Sequence, residues 1–152
     1  MIILALLIGI VVGLRALTPL AVVSWASRLG WLHLQGTWLT LLGASVTPYV
    51  ATGLALGELI TDKLPSTPSR KMPMGFGARI LMGGLCGGAL GTRGGAMLLG
   101  LLLGAVGAVI GTFGGAAMRA RLAQAFGKDL PAAFLEDVIA IAAAILIISR
   151  FA

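Results

Sequence analysis

The chain's five acidic residues fall in short groups whose spacing suits chemistry. Glu58 and Asp62 stand four apart in Gly57-Glu58-Leu59-Ile60-Thr61-Asp62-Lys63-Leu64-Pro65, so on a helix both carboxylates share one face. Glu136 and Asp137 are adjacent, with Asp129 before them in Lys128-Asp129-Leu130-Pro131. Carboxylates gathered in an apolar surround bind a cation, relay a proton or hold a ligand. By ligand hardness alone they would suit Mg²⁺ or Ca²⁺, but their spacing matches no metal motif. No metal and no other cofactor is expected.

These acids need counter-charges. Glu58 and Asp62 lie at the C-terminal end of their helix, where the dipole disfavours them, and Arg15, Lys63 and Arg79 are the cations available. Arg15 stands deep in the first apolar run. An unpaired arginine inside a membrane costs at least about 2.5–3.5 kcal/mol, so a partner is required, and Glu58 is the expected one. Thr18-Pro19 just beyond would free backbone carbonyls beside it. Arg15, Thr18, Glu58, Asp62 and Glu136 are thus expected to line a polar pocket, with Lys63, Arg70, Arg79 and Asp137 as further binding residues. The plain alternative is an interhelical salt-bridge network that closes a bundle.

Catalysis finds less support. There is no Ser-His-Asp set, no His-Glu-x-x-His and no Walker loop, so no catalytic residue is assigned and the chain is read as a non-enzyme. Lipid-phosphate chemistry by Asp62 or Glu136 with Arg70 is the one enzymatic reading left. His33 has no second histidine to share a metal, and Cys86 is the one cysteine, so neither a disulfide within the chain nor a cysteine metal site is available. Cys86 lies among glycines and reads as a small packing residue.

The elements that must position these residues are membrane helices. The chain is 59% hydrophobic and 11% charged, with a mean hydropathy of +1.05, against about 45–50% apolar and about 25% charged in soluble domains. The formal charge of +6 is scattered between apolar runs with no basic helix, which argues for headgroup anchoring over nucleic acid. Five runs approach the roughly 20 residues of a span: Ile2 to about Ala26, Trp38 to Ile60, Phe76 to Thr92, Gly95 to Met118, and Pro131 to Ser149. The expectation is therefore an all-α polytopic bundle of about five transmembrane helices, a single domain over residues 1–152. Ser24-Trp25-Ala26 has the spacing of a signal cleavage site, but Arg15 and Pro19 interrupt the run, and an uncleaved first span is expected.

Trp25, Trp31 and Trp38 suit a membrane–water interface. Pro65, Pro68 and Pro73 make the connection Lys63–Gly75 extended, and residues 119–130 read as a short interfacial helix with a turn at Gly127. Asp129 reads as the N-cap of the last span. The basic residues Lys63, Arg70, Lys71, Arg119, Arg121 and Lys128 fall on two connections that the positive-inside rule places in the cytoplasm, with the N-terminus inside and the C-terminus outside. Gly100, Gly104, Gly107, Gly111 and Gly115 share one helical face, as do Gly53 with Gly57 and Gly83 with Gly87, and all read as close-packing grooves. A faint internal repeat pairs Gly13-Leu14-Arg15-Ala16-Leu17 with Gly77-Ala78-Arg79-Ile80-Leu81 and Lys63-Leu64-Pro65 with Lys128-Asp129-Leu130-Pro131. If it holds, the first span is broken between Gly13 and Pro19.

Gly-Leu-Arg-x-x-x-Pro in the first span, the block from Gly57-Glu58 through Asp62-Lys63 and Pro68 to Arg70, and Lys128-Asp129-x-Pro131 with Glu136-Asp137 resemble small bacterial membrane proteins of domain of unknown function family 4126. The resemblance covers nearly the whole chain. It implies a multi-spanning protein of the bacterial inner membrane and supplies no activity. The leading functional reading is a transporter or channel-like protein for a small solute or ion, as a homo-oligomer among membrane lipids. The other is a lipid-binding or assembly scaffold without transport, in which Arg70 and Lys71 hold anionic headgroups or a partner.

Overall fold

The computed structural model describes residues 2–64 and 71–152, and among them all regular structure is helical. Six α-helices follow in order: α1 (Ile2–Leu14), α2 (Leu17–Arg28), α3 (Thr47–Thr61), α4 (Pro73–Thr92), α5 (Met97–Phe126) and α6 (Asp129–Ile148). Two 3₁₀ segments, Trp38–Gly43 and Ser149–Phe151, complete them.

Proline sets several helix starts. It lacks an N–H and clashes with the carbonyl four residues back, so it is tolerated only in a helix's first turn. Pro19, Pro48, Pro73 and Pro131 each occupy the first turn of α2, α3, α4 and α6. For Pro19 the carbonyl four back belongs to Arg15, so no regular helix runs through both. The apolar run from Ile2 to Ala26 is accordingly two helices, α1 and α2, with Arg15 and Ala16 between them.

The break reverses the chain. Gly9 packs on Gly104 of α5 and Gly13 on Gly111 and Thr112, so α1 runs parallel to α5. The amides at the start of α2 meet Glu58 near the end of α3, and Trp25 near the end of α2 bonds Thr52 near the start of α3, so α2 and α3 are antiparallel. α1 therefore descends to the end of the bundle where Asp62 and Arg119 lie, and α2 leaves it. Ile2 and Ile3 sit at the opposite end, in a recess with Gly91, Gly94 and Ala96. There the Arg93 guanidinium donates to the Phe151 carbonyl at 3.0 Å. The five-span layout puts the N-terminus on the same side as the two basic connections; the hairpin puts it on the other.

Packing runs on glycine. α4 and α5 are antiparallel, with Gly83 against Gly104 and Gly87 against Gly100; a methyl group on Gly104 would overlap the Gly83 carbonyl. The same α5 face takes α1, with Gly107 beside Leu6 and Gly111 beside Ile10. Small residues let the backbones touch, as in membrane helix pairs. The opposite face of α5, Leu98, Leu102, Val106, Ile110 and Phe113, is exposed, as are Leu130, Phe134, Val138 and Leu146 of α6. Small residues inside with large apolar ones outside is the pattern lipid selects. α5 and the span Asp129–Phe151 are each long and apolar enough to cross a bilayer, which points to a membrane location. At about 1.5 Å per residue, the 30 residues of α5 exceed the roughly 30 Å hydrocarbon core.

Other boundaries shift from expectation. The second apolar run is not one helix: residues 38–43 form a 3₁₀ segment, and α3 begins at Thr47. Residues 119–126 continue α5 without a break, and the expected turn falls at Gly127, whose φ is +69°. Lys128, not Asp129, is the N-cap of α6. Methyl groups at Gly53 and Gly57 would meet nothing within 4 Å, so that pair packs against no other helix of the chain among the described residues. α3 uses Ala51 and Ala55 instead, against Ala21 of α2.

Candidate functional site

All five carboxylates of the chain come to one end of the bundle, facing Arg15, Lys63, Arg79 and Arg119. Arg15 is at the centre. It occupies the tip of the α1–α2 hairpin and is completely buried. Its Nη1 pairs with Asp62 just past the end of α3, and its Nη2 with Asp137 of α6. One cation thus ties three separate elements. Lys63 Nζ reaches the other oxygen of Asp137 at 2.5 Å, bonds the Leu59 carbonyl at 2.7 Å, and lies 4.6 Å from the Phe134 ring centre.

Glu58 behaves differently from its expected role as the partner of Arg15. One of its oxygens accepts the Ala16 amide and the other the Leu17 amide, both at 2.9 Å. These are among the first amides of α2, which no turn of that helix can satisfy. Pro19 removes a further unsatisfied N–H from the same turn. The carboxylate also lies 3.8 Å from Arg79 Nη2. The unfavourable dipole at the end of α3 is therefore offset by the favourable one at the start of α2, together with Arg79. The exchange of partners has a physical cause: the turn at Arg15–Ala16 presents amides where Glu58 ends, and leaves the longer guanidinium to reach Asp62 and Asp137.

Arg119 forms the second half of the cluster. It holds Asp129 through two nitrogens, at 2.9 and 2.6 Å, and lies 3.6 Å from buried Glu136. It also donates to the Asp62 carbonyl at 3.4 Å, which links this half to the Arg15 centre. Neither Arg119 nor Asp129 is among the residues that sequence singles out for the site. Charge matching is the signal that could have found them, because Arg15, Lys63 and Arg79 cannot neutralise five acids.

Of the other expected residues, Thr18 is buried in the first turn of α2, and its hydroxyl has no hydrogen-bond partner among the described residues. Arg70 lies outside the described residues, as do Pro65 and Pro68. Among the described residues, Arg15 Nε has no hydrogen-bond partner, and Ser24, wholly buried on α2, has none for its hydroxyl. Among the described residues no group of three or more His, Cys, Asp or Glu is placed to hold a metal ion. His33 is exposed on the connection after α2, remote in the fold from the acids. The arrangement is a set of interlocked ion pairs that joins the α1–α2 hairpin to α3, α4, α5 and α6.

No protein-family model matches the chain, and no curated protein and no solved structure is similar to it.

Proposed function

We propose that the chain is a small multi-pass membrane protein of transporter or channel-like type, moving a small solute or ion through the charged centre around Arg15. One observation carries the reading: the chain reverses inside an apolar bundle at a fully buried arginine that pairs with carboxylates of two other elements. Ionisable groups are costly in a bilayer and mark pathways there, and a helix broken at membrane depth is tolerated only beside protein or a polar cavity. Transporter sites are commonly built from such discontinuous helices and their exposed termini. In this role Asp62 and Asp137 bind or relay the positive charge, and Arg15 balances them.

The same reading sets the surroundings. The basic connections face the cytoplasm of a bacterial inner membrane, the hairpin then starts from the outer side, and α3 to α6 complete the crossing. The Gly53–Gly57 face of α3 and the apolar outer faces meet lipid or another copy of the chain. This layout keeps the resemblance to family 4126 and replaces the five-span path with a hairpin.

Proteoliposome flux tests it. Vesicles carrying the purified protein should pass protons, alkali cations or small anions faster than empty vesicles, and Arg15→Gln and Glu58→Gln should abolish the difference. Flux equal to that of empty vesicles, or unchanged in both variants, would remove the transport reading.

A further inference from the structure

Among the described residues, α3 is the one α-helix that adds nothing to the main apolar core. That core joins α1, α2, α4, α5 and α6 with the segment Trp38–Gly43, and no residue of Thr47–Thr61 belongs to it. α3 packs instead on α2 and on that 3₁₀ segment. Its buried apolar contact is Ala51 and Ala55 against Ala21, with Leu17 and Leu20 beside them. The hydrophobic hold on a helix scales with the apolar area buried, and alanine offers a single methyl group. Leu54, Leu56 and Ile60 of α3 are each more than half exposed.

The two ends of α3 are held by different forces. Near its start, Trp25 Nε1 donates to the Thr52 hydroxyl at 3.0 Å, and the Trp25 and Tyr49 rings meet edge to face at 5.1 Å. No charge takes part. Its end is tied through charged groups. Glu58 accepts the Ala16 and Leu17 amides and faces Arg79, Asp62 pairs with Arg15, and Lys63 reaches Asp137. A buried ion pair loses in desolvation about what it gains in attraction, whereas apolar packing carries no such offset. An end held in this way comes free when its charged groups exchange partners for water or another ion, and no apolar core has to open.

Release would uncover the charged centre. Arg15 is completely buried and Asp137 nearly so, and Asp62 and Lys63 lie directly against them. Moving the end of α3 outward exposes both groups from one end of the bundle.

We propose that α3 is a gate that pivots about the Trp25–Thr52 contact, with Glu58, Asp62 and Lys63 as an ion-pair latch that holds it closed over Arg15 and Asp137. The inference rests on the transport reading for its role and deepens it. It identifies the element that moves and what releases it, a charge on the solute that takes the place of a latch partner.

Pulsed electron spin resonance between paired nitroxide labels in liposomes tests the movement without any flux measurement. Ile60→Cys with Gln124→Cys reports the end of α3, Val46→Cys with Leu29→Cys its start, and Met74→Cys with Gln124→Cys the fixed α4–α5 pair. With the latch intact, each pair should give one narrow distance. Combining Glu58→Gln with Asp62→Asn should lengthen and broaden the Ile60–Gln124 distance and leave the other two unchanged. If that double variant does not fold, Lys63→Met, which leaves Arg15 with both aspartates, carries the test and should lengthen the same distance by less. An unchanged Ile60–Gln124 distance in the folded variants, or lengthening of all three distances together, overturns the gate. Movement of α3 in a protein without flux would leave the latch and remove transport; flux with α3 fixed in every variant would do the reverse.

Discussion

Arg15, at the tip of the N-terminal hairpin, pairs with Asp137, which lies more than two turns into the last helix, so the two ends of the chain are joined through a buried ion pair. Asp62 shares the same guanidinium. Removing one member of a buried pair leaves an uncompensated charge and costs about 3–5 kcal/mol. Arg15→Ala should therefore destabilise the protein by about that much, read by equilibrium unfolding in mixed micelles. Arg15→Met combined with Asp137→Leu should recover part of the loss. Equal stability of wild type and Arg15→Ala would mean the guanidinium is not buried between the acids.

Glu58 closes a helix that is not its own, and hydrogen exchange reads this residue by residue. In Glu58→Ala the Ala16 and Leu17 amides should exchange faster while those in the middle of α5 stay protected. The loss of two charge-assisted bonds to a buried carboxylate predicts a cost of about 2–4 kcal/mol, from about 1.5–3 kcal/mol for each bond to a charged group, reduced because water reaches the vacated amides. Unchanged exchange at both amides would contradict the cap.

Glycine positions on α5 divide into two classes. A side chain at Gly104 would overlap the backbone of α4, whereas Gly114 has open space. Gly104→Val should cost at least about 1–3 kcal/mol, the range for overpacked cores, and should separate α4 from α5. Gly114→Ala should be neutral or stabilising by up to about 1 kcal/mol through helix propensity. Melting temperatures of the two variants in one detergent give the comparison. Similar losses at both positions would mean that the glycine face is not the contact.

Much of this architecture can be read from residue order, and the exceptions have physical causes. The long helices α4, α5 and α6 announce themselves as uninterrupted apolar runs, and the glycine spacing of α5 marks its packing face. The collection of all five acids at one end also follows from where they stand relative to those runs. The reversal at Arg15 does not, because two short apolar helices in a hairpin have the same composition as one long span. Pro19 is the visible mark, since it forbids a helix through Arg15, but it does not say which way the chain turns. The partner of Arg15 was hidden for a related reason: charge spacing says which residues need partners, whereas the amides that claim Glu58 exist only once the turn has formed. Between Trp38 and Gly43 hydropathy again misleads, because lipid-facing or buried 3₁₀ turns are as apolar as helices.

The hairpin is the claim on which the charged centre depends, and side-specific labelling of single cysteines tests it most directly. Cys86 is fully buried, so the native background is silent toward a membrane-impermeant maleimide. In sealed, oriented vesicles Ile3→Cys and Arg93→Cys should label from one side, and Lys71→Cys and Lys128→Cys from the other. Labelling of Ile3→Cys from the same side as Lys128→Cys would show α1 and α2 to be one continuous span and would contradict the account.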